Sequence, residues 1–320
     1  MKTFIGLILL GIVGMANYHL LAKYPLPGDD GWDYLTVDSA TRRLFVSHGT
    51  KVDVMDADQG KVLGEIPGTR GVHGIALAPE FNRGFISCGQ ANEVVIFDMR
   101  TFEILNRVAV GKKPDAIIFD PATKRVVVNN GDSNDSTIIN PAGGKVIGTI
   151  GLGGAPEFAA ADGEGKVFIN LEDKSETVKI DPIALKLEAR WSLKPCETPT
   201  ALAMDTATRR LFVGGRNRLM AVLNADTGAV VTTMPIGERV DAAAYESSTH
   251  LIFFSNGDGT VDIFREDSPD HYSAVNKLTT EPGAKTMAFD PQTHRIFLSV
   301  AQRDGRTIQP GTFHVLVYGY

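Results

Sequence analysis

The sequence predicts an all-β chain folded as a seven-bladed β-propeller with four-stranded blades. Three observations predict it. A unit best seen as Asp115-x-x-x-x-Asp120-Pro-x-Thr-x-Arg125 recurs seven times, with aligned first positions at Asp33, His73, Asp115, Glu157, Thr200, Asp241 and Lys285 and a mean period of 42 residues. A fixed period of that size marks stacked or radial repeats. The 320 residues include 33 Gly and 16 Pro but only 8% aromatics, a punctuation too dense for long helices and suited to short strands. Finally, the seventh unit lacks a fourth strand, and a matching strand stands near the other terminus.

Each element of the unit follows from its residues. The innermost strand, as in Ala116-Ile-Ile-Phe119, is short and apolar, as a strand covered on both faces requires. The Asp-Pro-x-Thr segment turns the chain, since Pro presets φ and the Asp and Thr side chains bond nearby backbone. A second apolar strand follows, as in Arg210-Leu-Phe-Val213, and then an alternating third, as in Thr260-Val-Asp-Ile-Phe264. The third and fourth strands are joined by turns such as Asn224-Ala-Asp-Thr-Gly228, whose Gly suits a positive-φ position. The seventh unit ends after a third strand over residues 313–318. The segment from His19 to Gly28 matches the fourth-strand pattern of Val230-Val-Thr-Thr-Met-Pro-Ile-Gly237. It is expected to complete the last blade and convert two sheet edges into one paired ladder.

Ahead of that strand, Lys2 precedes an apolar run over residues 4–13 and then Gly14-Met15-Ala16. Small residues at the positions a signal peptidase reads predict a leader over residues 1–16 and one propeller domain over 17–320. The run is short for a bilayer span, so no transmembrane segment is expected in the mature chain, whose place is periplasmic or secreted. Export brings an oxidising compartment. The two cysteines, Cys88 and Cys196, nevertheless fall on blades two and five, too far apart to pair. A net charge of -6 with 22% charged residues leaves no basic stripe for nucleic acid, and 43% hydrophobic residues exclude a disordered chain.

Repeats of this length with Asp-Pro-x-Thr turns, and strand ends such as Val167-Phe-Ile-Asn170 and Val126-Val-Val-Asn129, resemble the YVTN-type (YncE-like) β-propeller repeat family of exported bacterial proteins. The resemblance spans essentially the whole chain after the leader. It implies an exported propeller and little chemistry, so function has to be read from the loops.

One face over the central channel collects the candidate residues. The starts of the innermost strands supply Asp33, His73, Asp115, Glu157, Thr200, Asp241 and Lys285, and the ends of the second strands supply Ser47 and His48, Ser87 and Cys88, Asn129 and Asn130, Asn170, Gly214 and Gly215, Ser255 and Asn256, and Ser299. Carboxylates crowded at one mouth raise each other's pKa or attract a cation. His48, His73 and Cys88 form a candidate set for a divalent metal, with Asp115 able to add an oxygen. Arg216, Arg218, Arg239 and Lys285 form a cationic arc suited to a small anionic ligand through forked contacts. No Gly-x-Ser-x-Gly, phosphate-binding loop, dinucleotide fingerprint or Cys-x-x-Cys-His occurs in the chain. The expectation is a monomeric, non-catalytic binding or interaction propeller that requires no cofactor. The alternative is a lactonase-like hydrolase, or a cofactor- or metal-dependent oxidoreductase, acting at the channel mouth.

Overall fold

In the computed structural model, residues 17–28 and 30–320 are described; the leader expected over residues 1–16 lies outside them. Seven four-stranded antiparallel sheets stand around a central channel. Blade one comprises Trp32–Asp38, Arg43–His48, Lys51–Asp56 and Val62–Pro67, running from the channel outward. Blades two to six repeat that meander, with innermost strands Val72–Ala78, Pro114–Asp120, Pro156–Ala161, Pro199–Asp205 and Val240–Glu246. Blade seven is assembled from both chain ends: Met287–Asp290, Arg295–Val300 and His314–Gly319 are followed outward by His19–Pro25. The predicted closure is therefore observed, with Leu20 opposite Tyr318 and Tyr24 opposite Val315. Among the described residues no helix is long and apolar enough to cross a membrane.

The repeated turn has a definite chemistry. Asp120 accepts hydrogen bonds from the Ala122 amide and the Thr123 hydroxyl at 3.1 and 2.6 Å, and Asp205 does the same with Ala207 and Thr208 at 3.0 and 2.6 Å. The residue after each Thr then takes positive φ, as at Arg42, Lys124, Arg209, His250 and His294. One carboxylate thus closes the turn that starts the second strand. On the outer side, Gly228 has φ +73° and a Cβ there would meet the Trp191 ring, so glycine is required by conformation and by space.

The core lies between blades rather than within them. Phe45 of blade one packs on Phe97 of blade two with ring centroids 5.6 Å apart, and both are fully buried. Cys88 sits in that same cluster, whereas Cys196 packs with Phe168, Leu202 and Leu211. The two thiols are free, as their repeat positions predicted, and burial pushes each up to about 12. One departure from regularity is a small hairpin of Arg303–Asp304 and Thr307–Ile308 inserted in blade seven. It places the Arg303 guanidinium 4.7 Å from the Trp32 ring centre.

Candidate functional site

The channel mouth is built by a register feature common to six blades. Asp33, His73, Asp115, Glu157, Thr200 and Asp241 are each the second residue of an innermost strand. In all six the pairing with the neighbouring strand slips just beyond that position, for instance between Trp32 and Leu35 and between Pro114 and Ile117. Such a bulge re-aims a side chain that a regular pleat would send elsewhere. Lys285 reaches the same mouth from just before Met287–Asp290.

These groups meet across blades. His73 Nδ1 lies 2.6 Å from Asp33 Oδ2 and 3.7 Å from Asp115 Oδ1. Lys285 is hydrogen-bonded to Asp241, with Asp33 Oδ1 3.9 Å away on its other side. Arg216 bridges Glu172 at 3.0 Å and Asp241 at 3.7 Å. Glu157 lies close enough to Asp115, Glu172 and Asp241 to feel their charges. Beneath them, Tyr34 and Phe158 meet edge to face at 5.1 Å, joining blade one to blade four across the channel. This aromatic pair is a floor, below which a cavity of about 390 Å³ runs on past Thr36, Ile75 and Ile117.

Proton affinities follow from this crowding. Burial, reinforced by Asp115, Glu172 and Asp241, pushes the Glu157 carboxyl up to about 10. Asp115 is raised to about 6, by burial first and by Asp33, against the pull of His73. Burial alone would lower His73, but its hydrogen bond to Asp33 and the charge of Asp115 outweigh that and raise it. Asp241 is raised by burial despite Lys285. Lys285 is raised because Asp241 and Asp33 overcome its own desolvation.

The residues expected at the ends of the second strands are placed differently. Ser87, Asn129, Asn170, Ser255 and Ser299 are fully buried. Each donates to a backbone carbonyl of the next blade: Ser87 to Asp115, Asn129 to Glu157, Asn170 to Ala201, Ser255 to Lys285, and Ser299 to Asp33 across the seam. Thr200, although a member of the first ring, is buried and donates to the Val240 carbonyl at 2.6 Å. This layer fixes the positions at which the mouth side chains leave the backbone.

Of the candidate metal set His48, His73 and Cys88, only His73 faces the mouth. His48 is buried, with Nδ1 2.8 Å from Asp53 and its ring centre 4.2 Å from that of Phe313. Cys88 Sγ points to the Ile86 carbonyl. Among the described residues, the cluster geometrically able to hold a metal is Asp33, His73 and Asp115. The arginines of the expected arc are already engaged: Arg216 as above, Arg218 with Glu238 at 2.9 Å, and Arg239 with the Gly257 carbonyl. The floor of Tyr34 and Phe158 escaped the sequence reading. Its signal was present, because the residue after the ring position is Gly, Ala or Thr in the other five units.

No protein-family model matches the chain, and no curated protein does. Among solved structures it is similar to U3-55K, at 9% identity and TM-score 0.80 over 92% of this chain and 97% of that one. It is also similar to the RRP9 WD40 repeats, at 9% identity and TM-score 0.82 over 93% and 97%. A third likeness is to hydrazine synthase of Kuenenia stuttgartiensis, at 15% identity and TM-score 0.74 over 87% and 94%. Identities this low carry the architecture and no activity. The chain is a seven-bladed β-propeller.

Proposed function

We propose that this protein is an exported, non-catalytic binding propeller of the YVTN kind that takes a positively charged group, from a small molecule or a protein partner, at its channel mouth. The observation that carries this reading is an imbalance of charge. Asp33, Asp115, Glu172 and Asp241 converge there beside a Glu157 carboxyl that burial and its neighbours hold protonated, while His73, Lys285 and Arg216 are already bound to Asp33, Asp241 and Glu172. An incoming cation relieves repulsion among the carboxylates, whereas an anion has to break existing ion pairs. The small anionic ligand anticipated for Arg216, Arg218, Arg239 and Lys285 is the weaker reading on that ground. The enzymatic alternative gains little from the hydroxyls behind the mouth, since Ser87 and Ser255 are committed to backbone carbonyls.

Thermal shift at matched ionic strength tests the sign. Agmatine, putrescine and lysine methyl ester are expected to raise the melting temperature in proportion to dose, and Asp115→Asn to abolish the effect. Stabilisation by citrate or phosphate instead, lost in Arg216→Glu, would overturn the cationic reading. Export rests on Lys2 and the apolar run over residues 4–13. Intact mass of the protein from the periplasmic or culture fraction is expected to match a chain starting at Asn17, and retention of residues 1–16 in a cytosolic product would overturn it.

A further inference from the structure

We propose that Asp33, His73 and Asp115 bind a divalent transition-metal ion of the Zn²⁺ or Mn²⁺ class, through one imidazole nitrogen and two carboxylate oxygens. The inference rests on the mouth being a site for positive charge and gives that charge an identity. Three successive blades contribute one ligand each. The donor atoms all lie within 4.8 Å of one another, with separations of 2.6 and 3.7 Å from His73 Nδ1 to the two carboxylates. Zinc bonds N and O at about 2.0–2.2 Å, so donors around a tetrahedral ion stand roughly 3.4 Å apart. The two observed separations from His73 bracket that value.

Two further features mark the place as built. A Cβ on residue 89 would come within 2.8 Å of the His73 ring. Gly89 is therefore what leaves the imidazole room to turn its Nδ1 toward the two carboxylates. A groove of about 390 Å³ between blades one and two, lined by Asp30, Trp32, Asp33, His73 and Gln90, gives an ion access from solvent. Two carboxylates balance the charge of a dication; the nitrogen ligand favours zinc over magnesium or calcium, and the two carboxylates also admit manganese. Lys285 faces Asp33 from blade seven but is held closely by Asp241, which leaves Asp33 Oδ2 to the site.

The test uses chelator-stripped protein titrated calorimetrically with ZnCl₂ and MnCl₂, and with CoCl₂ followed by visible absorption. One ion per chain is expected, with a Co²⁺ ligand-field band. His73→Ala and the near-isosteric Asp115→Asn, both checked for a cooperative melt, should weaken binding by about 100-fold or more, beyond the loss caused by removing a group that merely orients a ligand. His48→Gln and Cys88→Ala should leave the affinity unchanged. Loss of binding in those two variants instead, or equal affinity in His73→Ala and Asp115→Asn, overturns the assignment. If putrescine stabilises the wild type and none of the three metals binds, the metal site is wrong while the mouth still takes cations. If neither binds, both readings fall.

Discussion

Deleting residues 17–28 is expected to unfold the ring at temperatures the intact chain tolerates, and to drive the product into soluble aggregates. His19–Pro25 is the outer strand of blade seven, and its loss uncovers the whole His314–Gly319 edge. That edge carries Val315, Leu316 and Val317, all buried in the intact ring. The deleted segment also holds two anchors. Tyr18 is 3% exposed and meets Phe253 of blade six edge to face at 5.2 Å, and Leu26 is 3% exposed in the cluster shared by blades seven and one. Two such side chains are worth about 3–6 kcal/mol together, a large part of the roughly 5–15 kcal/mol that holds a typical domain folded. A thermal melt and size-exclusion profile of the shortened chain decide the matter. A melting temperature equal to that of the intact protein would show that the seam does not depend on the N-terminal strand.

The period, the strand count and the closure were legible because they rest on local patterns. Asp120 and Thr123 close the same kind of turn as Asp205 and Thr208, so one short motif marks five blades. The ring positions were equally readable, since a repeat that sets the register of one innermost strand sets it for all. Contacts between blades were not readable. Nothing in the order of residues places Arg216 against Glu172, 44 positions earlier, and that contact turns an apparent cationic arc into a set of ion pairs. His48 and Cys88 fell on the correct face by sequence. At the end of a second strand, however, alternate side chains point into the layers between blades, and both are buried there. The reach of His73 toward two neighbouring blades depends on the bulges in the innermost strands, which leave no fixed signature in residue type.

Replacing Glu157 by glutamine is expected to stabilise the protein above pH 5, by an amount that grows with pH. In the fold this carboxyl is pushed up to about 10 by burial and by Asp115, Glu172 and Asp241, against 4.5 for a free glutamate. Between those values the folded chain holds a proton at this site that the unfolded chain has released. Stability therefore falls as pH rises across the window, and the contribution of this carboxyl is fully present only below pH 4.5. The amide in Glu157→Gln carries no proton to lose, so it cannot add a charge to the mouth as pH rises. The variant and the wild type should then differ least near pH 4.5 and diverge through neutrality. By pH 8 the gain should exceed about 1.4 kcal/mol, the worth of one pKa unit. Denaturant melts of both proteins from pH 4.5 to 9.5 measure it directly. A difference that does not change with pH would mean that Glu157 is ionised at neutrality and that the mouth already balances its own negative charge. In that case burial and the neighbouring carboxylates do not raise Glu157, and the crowding of charge on which the cation reading leans is weaker than the distances among Asp115, Glu172 and Asp241 imply.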